Sequence, residues 1–346
     1  MLEIDYSAVD GLILDCLPGC GLCCLCQPEI LPSERAYFRK NHPKAMVRSK
    51  TSSGAFTVAL KKGRGSCVFL NARKCDIYGD RPFSCRQFPF HFYCGDVISV
   101  EMEYSCRGVW QTDGADAGIE ARALARESMP RLEACLSETK TIYREFGEIC
   151  SDAGIWEDPS SIRAQVSENL GLFTDPSGLA SVMAAAMGDD RVDLRALPKP
   201  PGADISSEAR EAALGSMGSK SPFESPVYSA TDYSWNLFTV KKGNVVWNVL
   251  DDAGDLEPRW EIPVADVRLP NIGAAADDIL SKYVSTLNAR GSFLGSVYHT
   301  VDEFGYEDHL SNAYFGSLAV SIADLLWRAG LLEKALGLSG AELIRE

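Results

Sequence analysis

The segment Cys16-Leu17-Pro18-Gly19-Cys20-Gly21-Leu22-Cys23-Cys24 decides how the N-terminal third of this 346-residue chain folds. Cys20 and Cys23 form a C-x-x-C pair, a spacing that lets two sulfurs turn toward one metal ion while the intervening peptide wraps it. The glycines on either side of Cys20 allow the tight backbone of such a turn. Because Cys23 and Cys24 are adjacent, their thiolates fit more easily on two metals than on one, unless one of them is spare.

A second cysteine-rich block lies at residues 67–90. It consists of Cys67-Val68-Phe69-Leu70, Cys75-Asp76-Ile77-Tyr78 and Arg81-Pro82-Phe83-Ser84-Cys85-Arg86-Gln87-Phe88-Pro89-Phe90. Apolar and aromatic residues separate the three thiols and can pack a dry shell around a metal site, while the two arginines would offset its charge or fix its loop. Cys106 follows a predicted β-hairpin and adds one further thiol.

The distribution of cysteines along the chain is strongly uneven. Ten of the 12 cysteines lie between Cys16 and Cys106, and helical patterns predict that the other two, Cys135 and Cys150, are buried as small apolar side chains. The N-terminus lacks the basic start and apolar run of a signal peptide, and two charges interrupt the most apolar stretch, residues 314–332. We therefore expect a cytoplasmic protein without a membrane span, whose clustered thiols indicate metal binding rather than disulfides.

The charge is uneven as well. The chain has a net charge of −14, yet residues 31–90 contain 13 Lys or Arg against three Asp or Glu. A metal site with several thiolates is anionic, so nearby cations would stabilise it. We favour this explanation over a nucleic-acid surface, because no basic stripe is interleaved with aromatic residues. A protein partner or a protein substrate stays open.

Patterning along the chain predicts an α+β fold in three parts. Residues 1–112 form a small cysteine-rich metal-binding module of short strands and loops. Residues 113–226 form a mainly helical region with Pro/Gly-rich linkers, and residues 227–346 form an α+β C-terminal domain. The Gly/Ser/Pro-rich stretch 215–226 marks the boundary between the last two parts.

Two elements of these later parts carry clear signals. A helix is predicted over residues 115–150, with a break at Pro130 because proline lacks the N–H that continues a helix. A β-hairpin is predicted over residues 235–249, around the turn Lys241-Lys242-Gly243-Asn244. A third strand and two closing helices complete the predicted C-terminal domain.

The cysteine blocks resemble a known family. Cys20-Gly21-Leu22-Cys23-Cys24 and the motifs C-x-F-L, C-x-I-Y and R-P-x-x-C-R-x-F-P, which begin at Cys67, Cys75 and Arg81, resemble the YkgJ-type cysteine-cluster family. Members of that family are described as zinc- or iron-chelating. The resemblance covers roughly residues 16–108 and implies metal binding without implying one reaction.

Three cysteines depart from the family pattern. Cys16 lies four positions before Cys20, where the family usually has three, and this puts Cys16 in doubt as a ligand. Cys26 and Cys94 are outside the pattern.

Eight cysteines form the predicted ligand set, enough for one or two four-ligand centres. They are Cys16, Cys20, Cys23, Cys24, Cys67, Cys75, Cys85 and Cys106. Zinc and iron–sulfur clusters share thiolate ligands, but a closed zinc site usually has two C-x-x-C knuckles, and this chain has one knuckle plus single thiols from distant segments. The pattern therefore favours an iron–sulfur cluster, of the 4Fe–4S type, over a structural zinc site in an interaction module.

Two enzyme hypotheses stand beside metal binding alone. A flagellin lysine N-methylase carries a similar cysteine cluster, so the resemblance implies an S-adenosylmethionine-dependent protein-lysine N-methyltransferase as an alternative. Cys16, Cys20 and Cys23 also have the C-x-x-x-C-x-x-C spacing of radical S-adenosylmethionine enzymes. Leu22 stands where those enzymes commonly have an aromatic residue, and the repeated βα pattern of their barrel is missing from the sequence. The sequence assigns no catalytic residue.

Overall fold

A computed structural model of the chain describes residues 2–50, 52–200, 202–218, 227–229, 232–270 and 274–337. The α-helices in these ranges are α1 Arg35–Asn41, α2 Phe83–Gln87, α3 Ala117–Asp152, α4 Pro159–Glu168, α5 Pro176–Ala186, α6 Ser206–Met217, α7 Ala274–Ala289, α8 Gly291–Glu303 and α9 Leu310–Leu336. The strands are β1 Ile4–Asp5, β2 Ile13–Leu14, β3 Glu29–Ile30, β4 Met46–Arg48, β5 Phe56–Val58, β6 Leu70–Asn71, β7 Lys74–Cys75, β8 Phe90–Cys94, β9 Ile98–Met102, β10 Ala115–Asp116, β11 Val227–Ser229, β12 Trp235–Lys241, β13 Asn244–Leu250 and β14 Leu256–Pro263. Helices and several small sheets occur together, so the predicted α+β class is confirmed.

Short strands build the cysteine-rich module, as predicted. β8 and β9 form an antiparallel hairpin, and β1 adds to β9 in parallel. The sheet β3-β5-β4 places Ile30 and Val58 in one apolar cluster with Phe38 of α1. The smallest hairpin, β6-β7, carries Cys75. Each sheet is too small to be stable alone, so the module depends on contacts between them.

Helix α3 is continuous, and the predicted break at Pro130 is wrong. Proline removes the hydrogen bond to the carbonyl four residues earlier, which belongs to Arg126. Pro130 and Arg126 are both exposed, so this carbonyl lies on the solvent side, where water can satisfy it. The opposite face, with Ala121 and Ala125, is buried beside β8 and β9.

The C-terminal part combines a sheet with a helical core. Strands β11-β12-β13-β14 form one antiparallel sheet, and the predicted hairpin of residues 235–249 is confirmed with Lys241 opposite Asn244. The sequence patterns identified α7 and α9 but missed α8 between them. Helix α9 lies at the centre of the largest apolar cluster, in contact with α5, α6 and α8.

One helix in the described ranges, α9, is long and apolar enough by length and composition to cross a membrane. The sequence expectation excluded such a segment because Asp324 and Arg328 interrupt it. In the fold these two residues form an ion pair, with Arg328 Nε 2.6 Å from Asp324 Oδ1. More than half of the most apolar window of α9, 56%, is buried inside the protein, as in a core helix.

The C-terminal sheet contacts the cysteine-rich module directly. Ser66 donates two hydrogen bonds to the carbonyl oxygen of Asp252, from N at 3.0 Å and from Oγ at 2.9 Å. Trp235, at the start of β12, is fully buried in a cluster with Cys24 and Cys67. The division into three domains stays a prediction, and residues 219–226 of its second boundary lie outside the described residues.

Candidate metal centre

A cavity of about 370 Å³ lies within the cysteine-rich module. Seven cysteines line it, and we refer to it as the thiol-lined cavity: Cys16, Cys23, Cys24, Cys26, Cys67, Cys75 and Cys85. The rest of its wall is mainly apolar, with Val58, Leu70 and Ile77 among the lining residues, and Arg81 lies at its edge beside Tyr78. Six of the eight predicted ligands therefore lie around one space.

Gly21 sets the direction of the first cysteine block. It adopts a left-handed conformation with φ of 64° and begins the 3₁₀ turn Leu22–Leu25, which holds Cys23 and Cys24. A Cβ at this position would lie 3.3 Å from Leu70 Cδ1 and 3.4 Å from Trp235 Cζ2, so a side chain is disfavoured by both strain and space. The turn thus brings two adjacent thiols to the cavity wall.

The second block is joined to the first through the backbone. Cys67 N donates a hydrogen bond of 2.7 Å to the carbonyl oxygen of Cys24. Strands β6 and β7 then fold back through Ala72 and Arg73, which have φ of 44° and 61°, as in a type I′ turn. This hairpin returns the chain to the cavity and places Cys75 on its wall.

Cys85 reaches the cavity from the short helix α2, and two nearby arginines have different roles. Arg86 forms a bidentate pair with Glu127 of α3, at 2.7 and 2.6 Å, and therefore fixes the loop. The guanidinium of Arg81 lies 3.6 Å from the ring centroid of Tyr78, on the cavity lining. Arg81 is the arginine whose charge reaches the thiols.

This thiol arrangement coincides with a known domain. Residues 15–108 match the CxxCxxCC family model, "Putative zinc- or iron-chelating domain". The family resemblance predicted from residues 16–108 is confirmed, and the CxxCxxCC domain spans the whole thiol-lined cavity. Neither a curated protein nor a solved structure gives a significant match to the chain.

Cys20 and Cys106 lie beside the thiol-lined cavity of the CxxCxxCC domain and outside its lining. The carbonyl oxygen of Cys20 accepts a hydrogen bond from Arg73 Nη1 at 3.1 Å. Cys106 precedes a 3₁₀ turn whose Gly108 is hydrogen-bonded through its carbonyl oxygen to Asp15 N at 3.0 Å. Their role as ligands stays a prediction.

Two cysteines outside the family pattern have different surroundings. Cys26 lines the cavity, and sequence reasoning missed it because a single thiol two positions after a C-C pair has no established spacing. Cys94 is buried at the end of β8, away from the cavity lining, where burial first, and then a hydrogen bond with the Cys135 thiol, raises its pKa to about 12.

The two cysteines of helix α3 differ in exposure. Cys150 is fully buried, as predicted. The prediction that Cys135 is buried is wrong, because its side chain is exposed. Cys135 directly precedes the buried Leu136, and consecutive positions lie about 100° apart around a helix.

Burial is the main influence on the pKa values of these thiols. It raises the pKa of Cys20, Cys67 and Cys75, and it raises the pKa of Cys85 to about 12. Cys23 is the exception, because a hydrogen bond with Cys24 lowers its pKa to about 7, with a further contribution from the charge of Arg81. Metals bind thiolates, so a metal entering the cavity has to displace protons.

The residues fit a thiolate-bound metal centre. In the ranges that the structure describes, no three Cys, His, Asp or Glu residues are already close enough to share a single ion. The thiols instead surround a space of about 370 Å³. Soft sulfur donors in an apolar, partly enclosed site suit iron–sulfur clusters and zinc, and exclude magnesium and calcium, which prefer oxygen ligands.

Proposed function

We propose that the CxxCxxCC domain binds a 4Fe–4S cluster in the thiol-lined cavity, and that the chain is a metalloprotein whose centre is structural or electron-carrying. The supporting observation is a cavity of about 370 Å³ around seven thiols. Four sulfurs at about 2.3 Å close around a zinc ion and leave no void. A space of this size between the thiols suits a multi-atom cluster.

Four thiols from separate segments are the proposed ligands of this cluster: Cys24, Cys67, Cys75 and Cys85. The backbone hydrogen bond between Cys67 N and Cys24 O keeps the first two together. Cys75 and Cys85 are carried by short elements whose positions the β6-β7 turn and the Arg86–Glu127 pair fix. A bound cluster would supply one-electron transfer, while the Arg81 charge would offset the negative thiolates.

Metal and sulfide analysis of anaerobically purified protein tests the proposal. We expect iron and acid-labile sulfide in equal amounts, with broad visible absorption. Cys85→Ser should lower both, and the exposed Cys135→Ser, which lies outside the CxxCxxCC domain, is the matched control. Stoichiometric zinc without iron or sulfide would refute the cluster and favour a structural zinc module.

The methyltransferase hypothesis stays a prediction that rests only on the similar cysteine cluster of a flagellin lysine N-methylase. Equilibrium binding of S-adenosylmethionine to the metal-loaded protein tests it, and absence of binding by both S-adenosylmethionine and its demethylated product would end it. A cytoplasmic location and a protein partner or substrate stay predictions as well.

A further inference from the structure

Two thiols face each other outside the thiol-lined cavity, where helix α3 packs against strand β8. Cys94 is the last residue of β8 and is buried, whereas Cys135 belongs to α3 and is exposed. Their thiols share a hydrogen bond, and neither residue lines the cavity. This pair is therefore separate from the cysteines of the proposed metal centre.

The packing of α3 on β8 brings the pair together. Cys94 lies in one apolar cluster with Leu132 and Leu136, which are buried on the side of α3 that contacts the sheet. Cys135 comes three positions after Leu132 and one before Leu136, so it is about 60° and 100° away from them around the helix. Cys135 is thus at the edge of the contact between helix and strand, with Cys94 on one side and solvent on the other.

A metal ion does not explain this pair. In the part of the chain that the structure describes, no third Cys, His, Asp or Glu is placed to share an ion with Cys94 and Cys135, and two thiolates do not complete a zinc site. Burial as a small apolar side chain does not explain Cys135 either, because it is exposed while Cys150 of the same helix is fully buried.

The two thiols differ in their access to an oxidant. Cys135 is exposed, so a small oxidant that diffuses in from solvent meets it first. Cys94 is only 7% exposed, and burial is the main reason why its pKa is raised to about 12, so this thiol stays protonated and sheltered. An accessible cysteine beside a second cysteine that can resolve its oxidised form is the arrangement of redox-sensing thiols.

We propose that Cys94 and Cys135 are a reversible oxidation site for hydrogen peroxide, which links β8 to α3 by a disulfide bond. This inference goes beyond the proposed function, because it holds whichever metal the cavity binds. In a reducing compartment, disulfides of this kind are transient and report oxidation.

The reaction has two steps. The Cys135 thiolate attacks one oxygen of hydrogen peroxide, the O–O bond breaks, and the hydroxide that leaves takes up the proton released by the thiol, as water. The Cys94 sulfur then attacks the sulfur of the Cys135 sulfenic acid, the S–O bond breaks, and the hydroxyl leaves with the Cys94 proton as a second water. Two thiols are oxidised to one disulfide, and one peroxide is reduced to two waters.

The exposure of Cys135 also makes the disulfide reversible. A small thiol such as glutathione can attack an exposed disulfide sulfur, and exposed disulfides are the labile ones. The disulfide would hold the β8-β9 hairpin against α3 while oxidant is present, and reduction would restore both thiols.

Peptide mapping of the metal-loaded protein tests the site. The protein is treated with an equimolar amount of hydrogen peroxide, its free thiols are alkylated, and it is digested at Lys, Arg and Glu. This digestion cuts at Glu101 and Glu103 and so separates Cys94 from Cys106. We expect peptides 87–101 and 134–138 to be joined, at a mass two hydrogen atoms below their sum, and to separate again after incubation with reduced glutathione.

Three variants serve as controls, each checked for its fold by circular dichroism. Cys135→Ser and Cys94→Ala should not form the joined peptide. Cys150→Ala is the matched control on the same helix and should form it as the wild type does. Metal content is measured before and after oxidation. If iron is released, the test is repeated with zinc-loaded protein, because zinc has no redox chemistry.

The alternatives give different peptides. A disulfide between Cys135 and any cysteine other than Cys94 overturns the site. Cys94 that is still alkylated while Cys135 carries a sulfinic acid also overturns it, because Cys94 then fails to resolve the sulfenic acid. A joined peptide that glutathione does not separate overturns the reversibility. Each result is read without reference to the identity of the metal, so absence of an iron–sulfur cluster would refute the proposed function and leave this inference standing.

Discussion

Replacing Gly65 by Ala should separate the C-terminal sheet from the CxxCxxCC domain. Gly65 is buried, and a Cβ there would lie 2.4 Å from the carbonyl carbon of Ala253, 2.6 Å from its oxygen and 2.7 Å from the oxygen of Asp252. All three atoms belong to the backbone, so the β13–β14 turn itself has to move. Overpacking of this kind costs about 1–3 kcal/mol.

The movement also strains the hydrogen bonds that Ser66 donates to the Asp252 carbonyl oxygen, each of which contributes about 0.5–1.5 kcal/mol. If both hydrogen bonds are lost, the expected total loss in the free energy of unfolding is about 2–6 kcal/mol. With a urea dependence of about 3 kcal/mol per molar, the unfolding midpoint should fall by roughly 0.7–2 M.

Urea unfolding of the metal-loaded protein, followed by circular dichroism, measures this effect. Gly79→Ala is the matched control, because Gly79 lies in the same domain, is exposed, and a Cβ there would meet no atom within 4 Å. The control should stay within about 0.5 kcal/mol of the wild type. If Gly65→Ala and Gly79→Ala unfold at the same urea concentration, the close contact between the sheet and the CxxCxxCC domain is not as described.

Three further predictions follow from the site and its surroundings. Cys85→Ser should lower the melting temperature as well as the iron content, since metal binding and folding are coupled, whereas a differential scan of Cys135→Ser should match the wild type. Metal-free protein should bind Zn²⁺ more tightly as pH rises, because burial raises the pKa of Cys85 to about 12 and zinc has to displace its proton. Each displaced proton increases the affinity by up to about tenfold per pH unit. Chelator competition that gives equal affinity at low and high pH would contradict this. Trp235→Ala, which empties a fully buried site, should cost about 3–5 kcal/mol in urea unfolding, against less than about 1 kcal/mol for the more exposed Trp260→Ala.

Local sequence signals predicted the elements that depend on near neighbours. The hairpin of residues 235–249 was predictable because alternating apolar residues flank a Lys-Lys-Gly-Asn turn, and β12 and β13 pair around it. The cysteine-rich module was predictable from its motifs. Pro130 was a misleading signal, since the cost of proline in a helix depends on whether the freed carbonyl faces water, and this depends on the tertiary fold.

For the candidate metal centre too, the sequence predicted local motifs but not contacts between distant residues. The sequence identified the thiols of the cavity from their spacing, with the exception of Cys26, which belongs to no motif. Nothing in the spacing indicated that Cys20 and Cys106 lie beside the cavity, because that depends on the contact between Asp15 and Gly108. The burial of Trp235 against Cys24 and Cys67 was equally hidden, since residues distant in sequence carry no local pattern of contact.

The contact between Ser66 and Asp252 also determines when the metal domain is completed during synthesis. The two residues are 186 positions apart, and ribosomes add about 5–20 residues per second, so roughly 10–40 s pass between them. For most of that interval the nascent CxxCxxCC domain lacks Trp235, and its apolar cluster has an open side. The unprotected thiols are then exposed to oxidation and to competing metals, so loading of the finished chain is the safer order of assembly.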